Sequence, residues 1–239
     1  MGKESLRPDK AVEKITKRDA RRVLRVVDAG LVNGLGKPEP GHMCVEAAIC
    51  YALGYEHDDQ PQCVAACIRR YKIRINDAKW SSDEARTKGM RRAAIAQLGS
   101  SGINQREWAD YVIEQVIRRI LPLSLRRAAE KHKDKTHAER LIEAALRCEN
   151  EGTRESARNA AAAASAAYAA YAASAAAYAA SDAYAAYAAA AAADAADAAA
   201  DAVAYRDNIL NIAAEICVEA CIKCGTQGSK WLDLVAETA

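Results

Sequence analysis

Apolar residues recur at helical spacing along most of this chain and alternate with polar ones in only one short stretch. Residues 9–32 place Val12, Ile15, Val23, Val26 and Val27 on one face of a basic amphipathic helix, a face that Asp19 interrupts. The segment NGLGKPEPG at 33–41 holds two Pro and three Gly and excludes regular structure. Residues 43–54, MCVEAAICYALG, then read as a short apolar helix closed by Gly54. A polar loop, YEHDDQP, leads to a helix from about Pro61 to Arg70 that carries Cys63 and Cys67. The alternating stretch is YKIRIN at 71–76. No second strand is present for it to pair with, so an extended connector is expected there.

Capping signals set the remaining elements. Ser81 with Glu84 makes a capping box for a helix to about Leu98, stopped by GSSG at 99–102. Asn104 with Glu107 opens a helix that aligns Trp108, Tyr111, Val112, Val116 and Ile120 and ends before Pro122. Thr136 with Glu139 opens another, ending near Gly152, and Thr153 caps the helix after it. Eight or so helices and no sheet predict an all-α fold: a multi-helix N-terminal part, an alanine-rich helix or antiparallel helical hairpin, and a C-terminal amphipathic helix.

The alanine-rich part is residues 157–204, where 33 of 48 positions are Ala and neither Gly nor Pro occurs. Alanine loses no rotamer entropy in a helix, so a helical conformation is expected. Tyr168, Tyr171 and Tyr178 fall on one stripe, and Tyr184, Tyr187 and Tyr205 on another. The stripe changes face near Ser181-Asp182, where a turn would produce the hairpin; the alternative is one continuous helix with different neighbours at its two ends. An alanine face gains little unless a partner backbone comes close, so the six tyrosine rings are the expected docking lines for a protein partner or a second copy of the chain.

Charge divides the chain at the same place. Residues 1–154 hold 30 Lys+Arg against 22 Asp+Glu, a net of +8; residues 155–239 hold 4 against 10, a net of −6. Two regions are therefore expected: a basic helical domain over 1–154, and an alanine-rich region with a C-terminal helix and tail over 155–239. The alanine run is long enough to span a bilayer, but Asp182, Asp194, Asp197 and Asp201 would each cost about 2.5 kcal/mol or more at its centre, so no membrane role is expected. The N-terminus has no apolar leader pattern, and eight cysteines without one suit reduced thiols in the cytoplasm. Phe is absent, which leaves Cys, Ala and Tyr to fill core positions.

Four constellations carry candidate chemistry. Cys217, Cys221 and Cys224 have the CxxxCxxC spacing that resembles radical S-adenosylmethionine enzymes, but here the motif ends a helix near the C-terminus, and the same spacing marks one apolar stripe with Ile209, Leu210 and Val218. His42, Cys44, His57, Cys63 and Cys67 supply soft ligands within 26 residues, without the paired spacing of common zinc modules. Cys44 stands before an apolar helix, where the helix dipole would lower its pKa, with His57, His132 or His137 as the candidate base of a thiol enzyme. Residues 69–92 carry nine Lys+Arg against three acids, and Arg69, Arg70, Lys72, Arg74, Arg91 and Arg92 are the candidate contacts for nucleic acid or another anionic ligand. The segment 155–205 also resembles, in composition alone, alanine-rich stretches of bacterial proteins, some of them immunity proteins; the resemblance includes no functional motif.

The reading that follows is a non-catalytic protein-binding or assembly module with no cofactor, acting through helix–helix contacts and self-associating. Nucleic-acid or anion binding through 69–92 is the first rival, and a thiol or zinc enzyme centred on Cys44 the second. The apolar tail with Trp231, Leu232 and Leu234 is expected to fold back over the helix at about 206–223.

Overall fold

The computed structural model describes residues 14–166 and 203–236. Among these residues the protein is all-helical and no strand occurs. Five helices build the first half: α1 (Lys17–Asp28), α2 (Val45–Leu53), α3 (Ala66–Asn76), α4 (Asp83–Ala96) and α5 (Gln105–Arg119). They are followed by α6 (Leu121–Lys131), α7 (Lys135–Glu151), α8 (Arg154–Ala166) and α9 (Val203–Lys223). A 3₁₀ turn at Gly228–Trp231 and the short α10 (Asp233–Ala236) close the chain.

Helix α9 is the hub. It packs on α3, α4 and α5 and meets the 3₁₀ turn, and its buried residues Ile209, Leu210, Ala213, Ile216, Cys217, Ala220 and Cys221 make one broad face. Its other side faces outward, with Asn211 and Ile222 exposed and Glu215 and Glu219 half-buried. Small residues let its neighbours close in, with Ala93, Ala94 and Ala96 of α4 fully buried. Gly89 of α4 has the Trp80 ring and Asn211 of α9 where a Cβ would stand. Tyr71 of α3 crosses Trp108 of α5 edge to face, ring centroids 5.6 Å apart, and donates its hydroxyl proton to the Ala213 carbonyl at 2.9 Å. One buried cluster runs from Ile15 to Val235, so α9 shares its core with the helices before residue 154.

Several helix ends follow the sequence. Asn104 accepts from the amides of Arg106 and Glu107, Thr153 and Ser156 bond reciprocally at the start of α8, and Gly54 and Gly152 adopt left-handed C-cap conformations. Others differ. Asp19 does not mar α1; it completes a capping box with Thr16, which starts the helix at Lys17. The cap of α4 is Ser82, while Ser81 reaches across to Asp207; the cap of α7 is Asp134. Pro122 stands in the first turn of α6, where its missing N–H costs nothing, so the chain turns from one helix into the next instead of leaving helix there.

The stretch 71–76 is helical, not an extended connector, and Cys63 lies in a turn ahead of α3, not inside a helix starting at Pro61. Ile68, Tyr71 and Ile75 are spaced for one helical face and all are buried. Lys72 gave the appearance of alternation because it too points inward. The loop after α1 is pinned from α3: Asn76 donates to the Val32 carbonyl at 2.9 Å and accepts from the Val45 amide at 3.3 Å, and Asp77 accepts from Gly34.

The C-terminal tail folds back as expected, but onto α4 more than onto α9. Thr226 donates to the Ala96 carbonyl at 2.5 Å, Gly228 to the Leu98 carbonyl at 2.8 Å, and Gln227 accepts from the Ile15 amide at 2.9 Å. Leu234 and Val235 are buried, and Trp231 and Leu232 half-buried. A Cβ at residue 228 would overlap the Ile95 carbonyl oxygen. Gly228→Ala is therefore expected to lose about 1–3 kcal/mol of stability, the usual cost of overpacking a tight contact. Urea denaturation followed by circular dichroism measures it, and an unchanged midpoint would contradict this close approach.

Candidate interaction surfaces

The six cations of the 69–92 stretch do not share a surface. Lys72 is 1 % exposed and forms an ion pair with Glu46, itself 0 % exposed, at 3.3 Å between Nζ and Oε1. Glu46 lies in the first turn of α2, where the helix dipole favours a carboxylate, and Gln97 lies against it from the end of α4. Burial pushes the Glu46 pKa up, and Lys72 opposes that shift. Arg91 is held by the Asp28 carboxylate through Nε at 2.5 Å and Nη2 at 3.0 Å, and donates to the Val235 carbonyl at 2.6 Å. Arg92 pairs with Glu215 at 2.9 Å. Arg69 is half-buried; Arg70 and Arg74 alone of the six are exposed without an ion pair among the described residues. Tertiary pairing has used Lys72, Arg91 and Arg92.

The thiol and histidine candidates separate in the same way. Cys44 caps α2 through its sulfur, which accepts from the Ala47 amide at 3.4 Å, as its position before the helix suggested. Burial outweighs the helix end, however, and pushes its pKa up to about 11, opposite to the shift that the helix end alone would give. His57 lies within hydrogen-bond distance of the Gly36 carbonyl, 3.2 Å away. Cys63 and Cys67 are buried, and burial pushes Cys67 to about 12. His42 is exposed on the loop. Among the described residues no three His, Cys, Asp or Glu side chains gather as metal ligands would. Cys217 and Cys221 are fully buried in the face of α9 that meets the core.

Of the tyrosine docking lines, Tyr168, Tyr171, Tyr178, Tyr184 and Tyr187 lie outside the described residues. Tyr205 is half-buried: its hydroxyl donates to the Leu123 carbonyl of α6 at 2.9 Å, and the Arg127 guanidinium stands 6.0 Å from its ring centre. Its neighbour is therefore α6 of the same chain.

A different face stands out. Helix α7 buries Leu141, Ala144, Ala145 and Cys148 against α6 and α8. It carries a second apolar stripe of Ala138, Ile142 and Leu146 at four-residue spacing, with Ile142 39 % and Leu146 47 % exposed. With Ala129 of α6 these residues floor a groove of about 560 Å³, whose rim holds Glu130, Lys135, Glu139 and Glu143. Glu130 pairs with Arg127, while Glu139 and Glu143 form no ion pair among the described residues. The groove walls are fixed in place. Arg126 of α6 pairs with Glu149 of α7, and Arg118 of α5 donates to the last carbonyls of α7, those of Glu149, Asn150 and Glu151, at 2.8–2.9 Å.

This groove was detectable in the sequence: apolar residues at 138, 142 and 146 beside those at 141, 145 and 148 are too many for one stripe. A capping signal alone locates such a helix without asking how many faces it has. No family model matches the chain, and neither a curated protein nor a solved structure does. The compositional resemblance of the alanine-rich segment thus gains no support from a shared family.

The buried pair gives a direct test of the interior. Glu46→Gln and Lys72→Met each leave one ionisable partner stranded, and each is expected to cost about 3–5 kcal/mol. The combined Glu46→Leu, Lys72→Met variant is expected to recover most of that loss. Chemical denaturation of the three variants measures it, and singles with near-wild-type stability would contradict the buried pairing.

Proposed function

We propose that this protein is a non-catalytic helix-docking module that associates with protein through the groove between α6 and α7, self-association being its principal form. The observation that carries the reading is the second apolar stripe of α7. Two large aliphatic side chains sit in water on a braced helix when both could have been polar at no cost to the core. Fully burying an aliphatic side chain is worth about 1.5–3 kcal/mol, and Ile142 and Leu146 are already partly covered, so the groove supplies a few kcal/mol. After the cost of association this supports a weak, reversible contact, with the rim charges adding to it and setting orientation.

Several observations weigh on the rivals. Of the nine cations in the basic 69–92 stretch, Arg70, Arg74, Lys79 and Lys88 are exposed without an ion pair among the described residues, while Lys72, Arg86, Arg91 and Arg92 are paired within the fold. The Cys44 thiol is buried and burial raises its pKa to about 11, whereas a nucleophile must be ionised or activated. Among the described residues no helix is long and apolar enough to cross a membrane.

Replacing Ile142 and Leu146 by Asp leaves the buried face of α7 intact and is expected to change thermal stability little. It is also expected to abolish concentration-dependent association in sedimentation velocity. Association unchanged in the Ile142→Asp, Leu146→Asp variant would sink the groove reading.

A further inference from the structure

If the groove docks protein, its rim tells what kind. Glu139 and Glu143 stand one helical turn apart beside the apolar stripe, unpaired among the described residues, so a complementary surface needs an exposed apolar patch flanked by cations at one-turn spacing. The chain itself carries such a surface on α1. Arg18, Arg21, Arg22 and Arg25 are all exposed along one face of that helix. Among the described residues only Arg22 of the four has an ion pair, a loose one to Asp19 at 3.9 Å. Beside this row, Arg22, Arg25, Val26, Pro40, Tyr51 and Ala52 line a cleft of about 310 Å³, and the Tyr51 ring is 43 % exposed.

Resting on the docking reading above, we infer that the partner in the groove is a second copy of this chain, presenting the arginine face of α1 and the Tyr51 ring. Tyr51 meets Ile142 and Leu146, and Arg22 and Arg25 meet Glu139 and Glu143. Tyrosine and arginine are the residues that most often anchor protein interfaces, because a rigid ring and a planar cation bury area at small entropic cost. The two surfaces lie on different elements: α1 packs on α2 and α4, whereas the groove belongs to α6 and α7. One such contact leaves a groove free on one copy and an α1 face free on the other, so the pair closes as a two-fold dimer when both contacts form together and otherwise grows into a ring or an open chain. Its charged part weakens as salt screens it.

The test uses the full-length chain in sedimentation velocity over a concentration series at low and high salt. Two charge-reversed proteins are compared with wild type: Glu139→Lys, Glu143→Lys and Arg22→Glu, Arg25→Glu. All four positions are exposed, so both variants are expected to keep wild-type circular dichroism. Wild type is expected to associate less at high salt. Each variant alone is expected to associate at least tenfold more weakly than wild type, and an equimolar mixture of the two to regain pairing.

If the arginine variant assembles like wild type while the glutamate variant and Ile142→Asp, Leu146→Asp do not, the α1 partner is wrong and the groove reading stands. If the charge variants and the aspartate variant all assemble like wild type, both fail. Wild type that stays monomeric at high micromolar concentration overturns the inference and, with it, the self-association part of the groove reading.

Discussion

A lysine and a glutamate buried against each other set the terms on which the first half of this fold assembles. Glu46 comes from the start of α2, Lys72 from the middle of α3, and Gln97 from the end of α4. Bringing either charge inside alone is expensive, whereas together their attraction offsets the loss of water. The pair adds little net stability over apolar residues of the same size. What it does is penalise any packing of α2 on α3 that buries one member without the other. The surrounding contacts follow from that placement. With Lys72 directed inward, Tyr71 reaches α9 and α5, and Asn76 is positioned to hold the loop between α1 and α2.

The second constraint is size. A core without phenylalanine has to gain its cohesion from proximity, and α9 does so by meeting α4 across alanines and a glycine. The six cysteines that line helices or cap them serve as small apolar fillers, and burial keeps Cys44, Cys50, Cys67 and Cys148 at about 11–12, far from the ionised form that chemistry requires. The interior is thus committed to packing, and chemistry with a partner falls to the surface.

The fold class and most element positions were legible because helix signals are local: Asn104, Thr153, Gly54 and Gly152 act within a turn of where they stand. Neighbouring candidates blurred some starts, since Ser81 and Ser82 cap equally well in isolation and only Asp207, 126 residues away along the chain, claims one of them. The site was legible in part. Lys72, Arg91 and Arg92 look like a basic surface until Glu46, Asp28 and Glu215 arrive from distant segments, and nothing local announces those partners. The α7 stripe was written in the spacing of 138, 142 and 146, but its exposure depends on which face α6 and α8 cover. That Cys44 is both a helix cap and a thiol of raised pKa follows from burial, which the helix-end pattern does not contain.

The account comes down to one claim, that this protein works by docking the groove of α6 and α7 onto another protein surface, the α1 face of a second copy being the surface that fits. Amide hydrogen exchange at low and high protein concentration tests it without any substitution. The account predicts that slowing on concentration is confined to residues 138–146 of α7, the exposed turns of α1 and the end of α2 around Tyr51, with the core amides of α9 unchanged. Exchange at those three places that is independent of concentration, or slowing that maps to another face, would contradict it.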